Sequence, residues 1–453
     1  MNPTIFLIRR DLRIQDNAGL NEAASAADVV YPCFILDQSL LQKYAGHDYR
    51  LAFLKGSLQA LDEQLQTHGS GLWIEQGEAA RTLKKLIQKT GARRVVTNRD
   101  YTPASRRRDE ELRAVCESVG VTFQQVGDYL LNEPEQVYKP DGGHYSVFTP
   151  FYNRARQLYV APPVTADNLH LADSEQIPAK GLQLLMKLPE GPSEMAFQAG
   201  RPGAEAVLQQ LTNLSAYATE RDFPALPGTS RLSAHLKFGT LSVREAHAAI
   251  TAALGNDHPL VRQLYWRDFF THIAWHDPGV FTHAFKRQYD AIPWATDTDK
   301  LAAWKAGETG FPIIDAGMKE LAATGYMHNR VRMITASFLV KNLHLSWYEG
   351  EAHFARYLID YDPCLNNGNW QWAASTGSDA QPYFRVFNPW RQQVKFDPDA
   401  TYIKRWVPAL AKSSARAIHG LEKQSSGYIE PIVDLKKSAE RIKALFKAVA
   451  SGS

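Results

Sequence analysis

A chain of 453 residues exceeds what one hydrophobic core usually serves, so two domains are expected. Hydrophobic residues at 44% and charged residues at 22% exclude a disordered or fibrous protein, and a net charge of +3 excludes a histone-like basic surface. Three cysteines without a CxxC pair argue against a zinc ribbon or disulfide framework, and no apolar run is long enough to span a bilayer.

The opening apolar run "TIFLI" is cut off by Arg9 and Arg10, so no export signal is read and the protein is expected to be cytoplasmic, with no membrane partner. From there to residue 131, apolar runs ("TIFLI", "VVYPCFIL", "GLWIEQ", "RRVVTN", "VTFQQV") alternate with helical patterns such as Leu51–Gln66 and Ala79–Lys89. That is βαβ alternation, which predicts a doubly wound parallel sheet of Rossmann-like type over residues 1–131. After the first strand stands "RRDLRIQDN" where a dinucleotide fold would carry GxGxxG, so the usual phosphate loop is missing.

Residues 132–200, with "APPVTADN" and "LPEGPSEM", read as a connector wrapping the surface. Strand patterns then vanish. Ala204–Ala218, Val243–Ala253, Gln263–Ala274, Ile313–Ala323, Asn329–Lys341 and Ala352–Leu358 are apolar at helical spacing, which predicts an all-α domain over 201–453.

Four stretches of that domain can carry chemistry. "GTSRLSAHLKFG" (Gly228–Gly239) puts Gly, Thr and Ser ahead of an apolar run; a capped helix and a phosphate site both fit. In "RQLYWRDFFTHIAWH", Gln263, Trp266 and Arg267 cluster on a helix that is otherwise core-like. His272 and His276 have metal-ligand spacing, but Ile273 stands where a metalloprotease has Glu, and no metal is expected. "GYMHNRVRM" and "LIDYDPCLNNGNWQW" set Arg332 against Asp360 among several amides, either a structural ion pair or a polar wall for a heteroaromatic ring. An aromatic content of 11%, with ten Trp, makes stacking surfaces worth seeking.

"IRRDLRIQDN", "GTSRLS", "LYWRDFF", "ETGFPIIDAGMKEL", "GYMHNRVRM", "NNGNWQWAASTGSDAQPYFRVFNP" and "TYIKRWVP" occur in an order that resembles the DNA photolyase/cryptochrome family, and within it the class I cyclobutane pyrimidine dimer photolyases, over nearly the whole chain. The resemblance implies an antenna domain followed by a helical FAD-binding domain. Tyr217, Thr229, Ser230, Leu232 and Ser233 match diphosphate-binding positions; Arg267 and Asn329 lie along the flavin; Arg332 and Asp360 form the pair beside it; Asp362 hydrogen-bonds it; Asn366 stands next to N5. Trp370, Trp347 and Trp294 match an electron relay that reduces the flavin in light.

For the substrate, the resemblance implies UV-damaged DNA with the dimer flipped into a cavity walled by Trp266 and Trp372 beside Met333, and with Arg221, Arg330 and Arg385 near the strand backbone. Gln263 replaces the Glu usual in bacterial members and is the residue of (6-4) photolyases, so (6-4) repair is weighed behind dimer repair. Arg50, Asp100 and Lys237 resemble the contacts of an 8-hydroxy-5-deazaflavin antenna. Thr102 stands where folate binders have Glu, which disfavours methenyltetrahydrofolate; FMN is a further alternative. A monomer is expected. The rivals are a sensory cryptochrome, against which both cavity tryptophans speak, and a light-independent flavoprotein, which would need no relay.

Overall fold

The computed structural model describes residues 2–43, 46, 48–192, 194–421 and 428–451. The apolar runs form strands β1 (Pro3–Ile8), β2 (Val29–Asp37), β3 (Trp73–Gly77), β4 (Arg94–Asn98) and β5 (Thr122–Val126). All pair in parallel in the order β3-β2-β1-β4-β5. Such a sheet must be covered on both faces. Accordingly Ile5 and Leu7 pack into one apolar cluster with Leu83 and Leu86, while Phe6 and Ile8 pack into another with Leu58 and Leu61. The order reverses between β1 and β4, whose C-terminal ends carry Arg9–Arg13 and Asp100 into the crevice where open parallel sheets take ligands.

The helical domain docks on that end. Gly239 sits at φ +66°, and a Cβ there would come within 2.2 Å of the Arg10 carbonyl oxygen, so only glycine lets the two backbones approach this closely. Leu12 N–H donates to the Phe238 carbonyl at 3.1 Å. Buried Arg13 pairs with Asp128 at 2.6 Å, and Arg244 of the helical domain bonds Asp16 at 3.0 Å and Asp128 at 2.7 Å. Each of these buried charges is therefore paired, and Arg244 makes its pairs across the domain boundary.

The connector is more than a strap. Its helix Phe148–Ala155 buries Phe148 and Phe151 in a core with Phe269, and its Leu185, Leu188 and Phe197 pack with Phe53 of the α/β domain. Apolar residues spaced between Pro and Gly thus cover both domains.

Of the expected helices, Val243–Leu254 is fixed by a capping box between Ser242 and Glu245. The pattern over 204–218 breaks into a helix Gly200–Gln209, a 3-10 turn Leu211–Leu214 and a short turn Tyr217–Glu220. Asn329–Ser337 ends in a π-helical turn, Phe338–Asn342. The last segment starts earlier than its apolar pattern suggests, as Trp347–Tyr357, because Ser346 caps it. Among the described residues no helix is long and apolar enough to cross a membrane.

Candidate functional site

A cavity of about 280 Å3 opens among the helices next to Tyr129. Three helices each give it one stripe. Leu260, Gln263, Leu264 and Arg267 come from Pro259–His276; Asn329, Arg332, Met333 and Ala336 from Asn329–Ser337; Asn366, Asn369, Trp370 and Ala373 from Pro363–Ala374. Each set has i, i+3, i+4, i+7 spacing, so one helical face carries it.

The other face of Pro363–Ala374 explains the remaining amides of "NNGNWQW". Asn367 and Gln371 donate to the Val280 carbonyl at 3.0 and 2.9 Å, fixing the helix to its neighbour. At Gly368 an added Cβ would lie 2.2 Å from Phe270 Cδ1, so the helices pack at glycine distance. Asp362 caps this helix, accepting from the Cys364 and Leu365 N–H groups. Sequence reading had not separated the two faces; the i,i+4 pair Asn367/Gln371 was the available signal.

Asn366 spends its side-chain N–H groups on the carbonyl and carboxylate of Glu351, at 3.1 and 2.8 Å. Its oxygen is then the hydrogen-bonding atom it keeps, an acceptor. Arg332 bonds Asp360 Oδ2 at 2.9 Å and the Met327 carbonyl at 2.7 Å. Asp360 Oδ1 is buried without a hydrogen-bond partner among the described residues. An orphaned carboxylate oxygen beside a cavity calls for a donor on whatever fills it.

Asp362 Oδ2 accepts from Arg10 Nη2 at 2.7 Å and from Tyr129 Oη at 2.8 Å, with Lys237 at 3.9 Å. Burial alone would raise this carboxyl, but Arg10, Lys237 and the Tyr129 hydrogen bond together hold it well below the usual carboxylate range. Burial and the Arg10 charge push the Lys237 ammonium down to about 8, against the pull of Asp362 and Asp100. Tyr129 lies between two guanidiniums, Arg10 at 3.6 Å and Arg267 at 3.3 Å from its ring centre. The structure thus commits Asp362 to the domain boundary as well as to the cavity wall. The Arg10 and Tyr129 contributions were missed in the sequence.

The three tryptophans expected to form a relay share one region. Trp370 packs its ring on Gly350, where a Cβ would be 2.0 Å away, and meets Phe354 edge-on at 4.9 Å. Gly350 is one turn from Trp347 on the same helix. The segment holding Trp294 is tied just ahead of that helix by a bridge between Ala295 and Leu345. Burial falls along the series, from Trp370 and Trp347 inside to the half-buried Trp294.

A second cavity of about 440 Å3 shares Met333 and Trp372 with the first pocket's lining and is rimmed by Arg330, Arg385 and Lys395. Arg330 pairs with Asp222 at 2.7 Å and lies over Phe396. Lys395 and Gln392 were not anticipated. Several expected residues stand apart. Trp266 does not line the main cavity; its ring is stacked on Phe148 at 3.6 Å, one turn from Gln263, which does. Tyr217 packs on His258 under Arg221, and neither they nor Thr229 border the cavity, whereas Ser230, Leu232 and Ser233 do. Of the two readings of this stretch, the Thr/Ser cap is not formed: Leu232 stands at the N-cap position of the helix Ser233–Phe238, and among the described residues no side chain caps it.

Residues 4–168 match the family described as DNA photolyase, and residues 260–448 match the FAD binding domain of DNA photolyase. A deoxyribodipyrimidine photo-lyase of Synechococcus sp. is 36% identical over 98% of this chain and 96% of its own. The chain belongs to the DNA photolyase/cryptochrome family. Among solved structures, an archaeal photolyase from Sulfolobus tokodaii with two FAD molecules is 40% identical, covering 98% of this chain and 100% of that one, with TM-score 0.88. A class III photolyase from Agrobacterium tumefaciens is 35% identical over 100% and 98%, with TM-score 0.91.

A photolyase-type FAD fits the donor set: uncapped amides and two serines for an anion, the orphaned Asp360 oxygen for a ring N–H, and the Asn366 oxygen as an acceptor. At the domain crevice, Arg50 donates to the Ala355 carbonyl and stacks on Tyr361, Asp100 accepts from Arg10 at 3.1 Å, and Lys237 lines the cavity. His272 and His276 gather with His144, rings 4.5 and 4.9 Å from His276. Among the described residues no group of three or more His, Cys, Asp or Glu is placed to hold a metal ion.

Proposed function

We propose that this protein is a light-dependent lyase that splits cyclobutane pyrimidine dimers in UV-damaged DNA, with FAD in the three-stripe cavity. The reading rests on two adjacent cavities that share Met333 and Trp372 in their linings: a chamber with flavin-suited donors lies beside one rimmed by arginines. When bound and reduced, FAD supplies the photoexcitable electron that opens the dimer and then returns. The chain does the rest. Ser230, Leu232 and Ser233 would hold the anionic end, Arg267, Asn329, Arg332 and Asp360 would wall the ring, and Asn366 would offer it an acceptor. Trp372 and Met333 offer apolar surface to an extruded dimer, while the Trp266 ring is stacked on Phe148, one turn from Gln263. Arg330 and Arg385, with Arg221 farther out, attract the strand backbone.

The motif order supports class I, and Arg50, Asp100 and Lys237 on one crevice support an 8-hydroxy-5-deazaflavin antenna. Three buried free thiols suit a reducing compartment such as the cytoplasm. Incubation of the reduced protein with thymine-dimer and (6-4) oligonucleotides under blue light tests the reading. Restoration of thymines from the first supports it, restoration from the (6-4) lesion alone reassigns Gln263, and no restoration from either favours signalling.

A further inference from the structure

Trp347 is 2% exposed and cannot itself exchange protons with water, so charge reaching it must leave through a neighbour. Its ring is stacked on that of Tyr348, the next residue, with centroids 3.8 Å apart and planes 26° from parallel. The Ser346 cap sets both rings at the start of the helix, where Tyr348 is 38% exposed. Near-contact π-stacking gives strong electronic coupling, and an exposed phenol can release a proton to solvent.

The other aromatic neighbours lack one of these properties. Trp304 meets Trp370 edge-on at 6.2 Å, but it is fully buried and its indole N–H is donated to the Thr335 carbonyl at 3.2 Å. A hole there has no route to lose its proton. Phe354, against Trp370, is a much harder ring to oxidise.

We propose that Tyr348 is a second exit of the tryptophan relay, branching from Trp347 in parallel with Trp294. This rests on the function proposed above, in which the one-electron photo-oxidant is a flavin excited in the cavity. The oxidant takes one electron from Trp370, Trp347 refills Trp370, and Tyr348 refills Trp347. The Tyr348 O–H bond then breaks, its proton goes to water, and a neutral tyrosyl radical remains for a soluble thiol to reduce by one hydrogen atom. Proton loss traps the hole at the surface. Burial and the neighbouring Asp290 raise the phenol above its usual range, so at neutral pH it starts protonated and electron and proton leave together.

The test uses flavin-loaded protein carrying ring-deuterated tyrosine, illuminated with and without a thiol. Electron paramagnetic resonance of wild type is expected to show a tyrosyl signal narrowed by deuteration and absent in Tyr348→Phe, a change that keeps the stacked ring. Trp294→Phe is expected to slow photoreduction only in part, and adding Tyr348→Phe to lower the rate by about a further tenfold or more, the non-additivity of two parallel routes. A wild type without tyrosyl signal, a signal that survives in Tyr348→Phe, or a double variant no slower than Trp294→Phe overturns the branch. Trp347→Phe photoreducing as fast as wild type overturns the relay itself, a result separable from the other three.

Discussion

Arg10, in the loop after β1, donates to Asp362, the cap of the helix that carries Asn366, Trp370 and Trp372, at 2.7 Å. One guanidinium therefore ties the α/β domain to a helix that lines the main cavity. Arg10→Met leaves a buried carboxylate short of its main counter-charge and is expected to destabilise the protein by about 3 kcal/mol, measured by denaturant unfolding. Because the Asp362 carboxyl is held below its unfolded value, its contribution is present above about pH 4 and lost as pH falls toward the folded value. The variant's acid-unfolding midpoint should move to higher pH.

Lys237 adds a rise of the same sign at higher pH. Its ammonium is lowered to about 8 by burial and Arg10, so the folded state resists a proton that the unfolded chain keeps until about pH 10.4. Between those values the unfolded state binds more protons, and stability attributable to this group rises with pH. Lys237→Met should flatten that rise in thermal unfolding scans from pH 7 to 10.

Gly368→Ala inserts a methyl 2.2 Å from Phe270 and must separate two of the three stripe-bearing helices. A loss of about 1–3 kcal/mol is expected, with weaker flavin retention on gel filtration.

Much of this was legible beforehand because it is periodic or local. The five strands follow from unbroken apolar runs, and the cavity stripes at Gln263–Arg267, Asn329–Met333 and Asn366–Trp370 fall on the motifs already singled out. What escaped was nonlocal. Arg10 and Asp362 are 352 positions apart, and no local pattern pairs them. Phe148, in a segment taken for a connector, covers the Trp266 ring. Thr229 and Ser230 do not cap the helix, because Arg231 takes positive φ and Leu232 occupies the N-cap position ahead of Ser233.

Arg385→Ala should weaken binding to dimer-containing DNA about equally across flanking sequences. It should also reduce the slope of log affinity against log salt by about 1, as expected for the loss of one phosphate contact. Lys395→Ala, on the same rim, should behave alike in a fluorescence-anisotropy titration.

Trp370→Phe should slow photoreduction of bound flavin by at least about a hundredfold, since it removes the ring that donates first, as followed by the flavin absorption bands. Equal photoreduction in wild type and variant would remove the relay assignment.

Delivery of light energy from the helical cavity to a pyrimidine dimer is measured by thymine recovery from a single-dimer oligonucleotide, with reduced flavin-loaded protein, in blue light and in darkness. Recovery in light and none in darkness is the expected result; equal outcomes in the two conditions would contradict it.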